Sequence, residues 1–256
     1  MDETPNNEAE NAPYFFLSHA HPPPPPTQSQ VHGGPRGPIQ RLFEKLWDHV
    51  GEICPPLAKD TDIGMIDSRI WLAEDWRRRL STELARCKVL VPVVSPRFFA
   101  SPWCGREWEV FEQRTARQNG VETDLKAIVP VHWVPLGEQE MPDFASRYQL
   151  WDGDFPRSYR TMGLYGLMAR PGLREDCEES IYLLAERIKR VIQHTVTEVG
   201  EPVDVEKARN RFEGVPLTKF EHMLGRPTAE AGSDKDKDKT VVALPTGRGK
   251  PPAERA

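Results

Sequence analysis

Residues 95–107 run Ser-Pro-Arg-Phe-Phe-Ala-Ser-Pro-Trp-Cys-Gly-Arg-Glu, bringing two serines, a tryptophan and one carboxylate, Glu107, into a short stretch. The stretch follows an apolar run, Val89-Leu90-Val91-Pro92-Val93-Val94. Short runs rich in β-branched residues read as strands buried on both faces. Open parallel sheets bind ligands outside the carboxyl ends of their strands. The expectation is therefore that Ser95, Trp103 and Glu107 lie where chemistry or recognition takes place. A lone carboxylate beside an indole and hydroxyls is a different apparatus from a Ser-His-Asp triad, for which no supporting motif exists. No Walker-type or G-x-G-x-x-G phosphate loop is present. His19, His21 and His32 are close in sequence but flank a strand end and a Gly/Pro loop, so the metal reading is none.

These groups need a scaffold, and the sequence outlines one. Tyr14-Phe15-Phe16-Leu17 reads as a first buried strand that ends at Ser18-His19. Ile39, Leu42, Phe43, Leu46, Trp47 and Val50 recur with helical spacing, with Pro38 in the first turn and Gly51 at the end. Ile63 to Asp67 reads as a second strand, Asp75 to Arg86 as a second helix with Trp76, Leu80 and Leu84 inward, and Val89 to Val94 as the third strand. The third helix is expected from about Trp103 to Gln118, with Cys104, Trp108, Phe111 and Thr115 on one face. Ala127 to Trp133 reads as a fourth strand and Gln149-Leu150-Trp151 as a short fifth. Residues 153–172 read as loop with a short helix, and Cys177 to Ile192 as the last helix. Strands alternating with helices imply βαβ crossovers.

The rest of the chain bounds the function. With 256 residues, 38% hydrophobic and 29% charged, it holds enough apolar content for a core, and its net charge of -5 argues against a general nucleic-acid binder. Cys54, Cys87, Cys104 and Cys177 are scattered, as reduced and partly buried thiols would be. The acidic, polar start is no signal peptide, and no apolar stretch approaches the roughly 20 residues that span a bilayer. A cytoplasmic protein without membrane contact is the expectation. Residues 1–12 read as a disordered N-terminus, 13–197 as the folded domain, 19–38 as a Pro-rich insertion and 198–256 as a mostly disordered tail carrying the mixed-charge run 233–239.

With the elements placed, the pattern resembles a TIR (Toll/interleukin-1 receptor) domain over roughly Tyr14 to His194. The carriers are the aromatic strand ending in Ser18, the second strand ending in Asp67, the helix ending at Cys87, Ser95-Pro96, and the Ser101 to Glu107 block. Gly163-Leu164-Tyr165-Gly166-Leu167-Met168, after Val131-His132-Trp133-Val134-Pro135, looks like the FxsC-type TIR-like proteins of actinobacteria. The resemblance implies a flavodoxin-like α/β fold: a five-stranded parallel sheet of order 2-1-3-4-5 with helices on both faces. It also implies a role beside a radical-SAM maturase and a modified peptide ending FxSxx-COOH.

Two functions follow from the resemblance. One is signalling or scaffolding through protein partners or self-association, with Ile70, Trp71 and Leu72 of the loop after Asp67 as the interface. The other is cleavage of the nicotinamide–ribose bond of NAD+, with Glu107 carried over as the catalytic residue and Ser18, Asp67, Ser95 and Trp103 as ligand-binding groups. A carboxylate suits the oxocarbenium-like transition state of that cleavage. NAD+ is then a substrate, and no cofactor is required. The alternative reading of Glu107 is structural: an acid favoured in the first turn of a helix, or a partner of Arg97, Arg106 or Arg114. Three features depart from the family pattern: the prolines after His19, Ala73 in place of a glycine, and no recognisable late Phe-Trp motif.

Overall fold

The computed structural model describes residues 12–21, 37–59, 61–66, 75–118, 120–124, 126–136 and 142–214. Its centre is a parallel sheet. Strand β1 (Phe15–Ser18) is buried along its whole length, and helix α1 (Pro38–Ile53) follows it, burying Leu42, Leu46 and Val50. Next come β2 (Gly64–Ile66), α2 (Asp75–Arg86) and β3 (Val89–Val94), whose six residues are all buried. Helices α3 (Pro96–Phe99) and α4 (Pro102–Glu112) lead to β4 (Ala116–Gln118), β5 (Val121–Glu122) and β6 (Val131–His132). The chain continues through α5 (Asp143–Ser146), α6 (Arg157–Met168), α7 (Arg174–His194) and β7 (Thr195–Thr197).

The parallel sheet has the order β2-β1-β3-β6. From β1 the chain moves outward to β2, then back past β1 to β3. Because crossovers are right-handed, that reversal puts α1 and α2 on opposite faces. Accordingly α1 packs on α7, and α2 packs on α4. The start of the expected 2-1-3-4-5 order is present, but with four strands among the described residues. The segment expected as the fifth, Gln149 to Trp151, is not a strand. Its groups are used otherwise: Arg187 donates to the Gln149 carbonyl at 2.8 Å, and the Trp151 ring lies 4.7 Å from that of His132.

The fourth parallel strand is also shorter than the expected Ala127 to Trp133. It pairs with β3 at Val93↔Val131 and Val94↔His132, and again at an isolated bridge, Leu90↔Ile128. Both pairings share one register, and the gap between them falls at Pro92 and Pro130. On β3 the even-numbered residues face this strand, so Pro92 lacks the N–H that the register would give to Val129, and the pairing breaks there and resumes.

The third helix departs most from expectation. It ends at Glu112 instead of Gln118, and Thr115 lies beyond it. From Ala116 the chain forms a second, three-stranded antiparallel sheet, β5-β4-β7. Gly120, at φ 80°, turns the β4–β5 hairpin. The Asn119-Gly120 pair is a turn signal of this kind in the sequence. Arg114 fixes the junction: its guanidinium donates to the carbonyls of Leu84 (2.9 Å), Cys87 (2.7 Å) and Glu198 (3.0 Å). Burial lowers the Arg114 pKa and pushes the Cys87 thiol up to about 11, which makes it an unreactive, protonated neighbour. All four cysteines are buried and free.

Packing continues past residue 197, the expected end of the domain. Residues 198–214 lie against the body, with Val205 and Phe212 each only 2% exposed. Residues 215–256, most of 1–12 and most of the 19–38 insertion lie outside the described residues.

Helix α6 is longer than the expected short helix and is interrupted at Gly163 (φ 68°, ψ 169°). A Cβ there would stand 2.5 Å from the Trp133 carbonyl oxygen, which accepts a hydrogen bond from the Tyr165 N–H at 3.0 Å. Both backbone conformation and space therefore require glycine. Gly163→Ala is expected to destabilise the domain by at least about 2 kcal/mol in urea unfolding followed by circular dichroism. A smaller loss would mean that the kink relaxes without cost.

Candidate functional site

Two Ser-Pro steps build the site. Ser95 caps α3 by accepting from the Phe98 N–H at 3.1 Å, and Ser101 caps α4 by accepting from the Cys104 N–H at 3.3 Å. In each case proline takes the first helical position, where its missing N–H costs nothing. The second step fixes where α4 begins and therefore which side chains share a face. Trp103 and Glu107 are four residues apart and meet, while Cys104 and Trp108 turn into the core, both at most 1% exposed.

Glu107 is fully buried. The Ser18 hydroxyl, at the carboxyl end of β1, donates to its Oε2. The Trp103 indole N–H donates to its Oε1 at 2.7 Å. Ser18 is itself 0% exposed, and Trp103 is half-buried. Three of the expected site residues are thus brought together across the gap between β1 and α4.

Ser95 has another use, since its oxygen serves the start of α3. Asp67 and the expected interface, Ile70, Trp71 and Leu72, lie outside the described residues. His19 and His21 pack ring to ring at 4.4 Å, beside Ser18 in sequence.

Two of the structural alternatives for Glu107, the helix dipole and Arg114, fare poorly. It is the sixth residue of α4, and no acidic residue occupies the first turn, so the helix dipole does not account for it. Arg114 spends its hydrogen bonds on backbone carbonyls elsewhere. A buried carboxylate costs several kcal/mol unless donors meet it, and here a hydroxyl and an indole do so. Chemically, the arrangement is an acceptor-only group held at the edge where parallel sheets bind ligands, with its oxygens closed off from solvent.

Sequence reasoning missed what lies behind α4. Gly105 sits inside the helix because an added Cβ would run into Oδ1 of Asn210. The Arg211 N–H donates to the Gly105 carbonyl at 3.1 Å. A glycine in a helix interior signals close approach of another segment, but it does not say which one.

A TIR-domain family model matches residues 48–160. The match takes in Trp103 and Glu107 and leaves out Ser18 and residues 198–214. No curated protein and no solved structure gives a significant match to the chain. Among the described residues no helix is long and apolar enough to cross a membrane.

A second buried polar group lies near the sheet's carboxyl edge. His132 is 1% exposed, at the end of β6, between the rings of Trp151 (4.7 Å) and Tyr159 (5.7 Å). Its backbone N–H donates to the Tyr159 hydroxyl at 2.9 Å, and neither ring nitrogen has a hydrogen-bond partner within normal geometry. Burial pushes its pKa down to about 4, with only slight relief from the Arg160 carbonyl. The unfolded chain takes up a proton near pH 6.5. The folded form therefore keeps its full stability above about pH 6.5 and loses it as pH falls through about 4. This group should cost up to about 3 kcal/mol across that window. Urea unfolding at pH 7, 5.5 and 4.5 should show the decline, and His132→Leu should remove this part of it. An unchanged slope in that variant would contradict the assignment.

Proposed function

We propose that this chain is a TIR-type signalling or scaffolding module that works by protein–protein association and is held catalytically closed in isolation. The observation that carries this reading is the complete burial of Glu107 between Ser18 and Trp103. A carboxylate with no exposed surface cannot touch a dinucleotide. The chain's other assets suit a partner-binding role: a loop carrying Ile70, Trp71 and Leu72, and a Pro-rich segment at 22–26. The finer assignment, to a system that makes a modified peptide ending FxSxx-COOH with a radical-SAM maturase, rests on the likeness of residues 163–168 alone.

The second reading is an NAD+ glycohydrolase that acts only after assembly. It is favoured by one specific feature: the buried acid is at the carboxyl edge of the sheet, next to a hydroxyl and an indole. If α4 and β1 part, Glu107 faces the edge with its charge pre-positioned. It would then stabilise the ribosyl cation as neutral nicotinamide departs. Ser18, released from Glu107, would be free to meet a ribose hydroxyl, and Trp103 would wall the base. Association and catalysis are compatible on this reading, because assembly supplies the opening.

Nicotinamide release by the purified chain, both dilute and clustered on beads, tests the two together. The dilute chain is expected to be inert, and measurable release from it would overturn the closed module. Release only on clustering, reduced at least about 100-fold in Glu107→Ala, would establish the second reading. No release in either state would leave the module alone.

A further inference from the structure

We propose that residues 209–213 form a latch that positions Glu107 from behind α4, and that releasing it exposes the carboxylate. These residues lie outside the stretch matched by the family model. Three residues make the latch. Asn210 rests on Gly105, where only glycine leaves room, and the Arg211 N–H bonds the Gly105 carbonyl. The Arg211 guanidinium bonds Glu112 at 2.7 Å, lies 3.9 Å from Glu109 and covers the Phe144 ring at 4.1 Å. Phe212 plugs an aromatic pocket, with its ring 5.3 Å from Phe99, 5.5 Å from Phe98, 5.8 Å from Phe144 and 6.1 Å from Trp108.

The geometry of α4 turns these contacts into control of the site. Gly105, Glu109 and Glu112 follow one another at three- and four-residue spacing and carry the latch. Glu107 is two residues from Gly105, about 200° around the helix axis, and faces Ser18. Helix α4 is therefore held between β1 and the latch. It is only eleven residues long, so a shift at Gly105 reaches Trp103 and Glu107 within one turn. The anchoring is mixed: the aromatic plug is apolar, whereas Arg211 holds through partly buried ion pairs that a competing charge can take. The latch also stands immediately before residues 215–256, so a partner that engages that stretch pulls on it directly.

What an exposed Glu107 then does rests on the nucleotide reading above. The latch itself does not, and its test uses no NAD+, so either idea can fail without the other. The readout is the Trp103 indole N–H, which is bonded to Glu107. It is followed as water exchange in ¹⁵N–¹H spectra and assigned by its loss in Trp103→Phe. Gly105→Ala should push Asn210 away, and Arg211→Glu should place like charges against Glu109 and Glu112. Both are expected to speed exchange of the Trp103 indole at least about tenfold while the Trp47 indole, on α1, keeps its rate. Arg211 is partly buried and lies outside the apolar core, so Arg211→Glu carries the test if Gly105→Ala does not fold. Wild-type exchange at Trp103 in folded Arg211→Glu would overturn the latch. So would equal acceleration at Trp47, which would mark a general loosening.

Discussion

A carboxyl group with no access to water sets the terms for this end of the molecule. Each hydrogen bond to a carboxylate contributes about 1.5–3 kcal/mol, and leaving such a group without donors costs more than that. Glu107 is tolerated because β1 ends in a serine and α4 places an indole one turn earlier. Both depend on details elsewhere. Ser18 reaches the acid only because β1 lies next to β3, and the indole reaches it only because Ser101-Pro102 starts α4 at one residue and no other. The same group is thus the most constrained in the fold and the one with the clearest chemical potential.

On the assembly-activated reading closure and activity are compatible: Glu107 is held between a hydroxyl and an indole. It regains its full effect when its neighbours withdraw, because dry, fixed charges act more strongly than solvated ones. The latch supplies the restraint from the other side of α4. Phe212 contributes apolar burial, whereas Arg211 contributes a charged, partly buried contact.

Much of this was legible in the residues. The strand ending at Ser18, the Val89 to Val94 strand and the Trp103–Glu107 spacing all follow from short-range pattern, and the contact between β1 and α4 follows from the family resemblance. Other parts were not legible, for physical reasons. The break in the fourth strand comes from Pro92, whose missing N–H faces that strand only once the register is set. The early end of α4 reflects Arg114 reaching three carbonyls distant in sequence, and the helix-like residues 115–118 yield to strands on both sides. Phe212 lies in a stretch without periodicity, and its burial depends on a pocket assembled from three separate segments. Gly105 was the one local sign of that pocket.

Carboxyl labelling measures the closed state of Glu107 most directly. The chain would be treated with a carbodiimide and an amine, dilute and clustered, and modification at each acid read by mass spectrometry. The account predicts that in the dilute chain Glu107 stays unlabelled while Glu122, in an exposed strand, reacts fully, and that clustering brings Glu107 into reaction. Labelling of Glu107 in the dilute chain at the rate of Glu122 would contradict the claim that the acid is sealed.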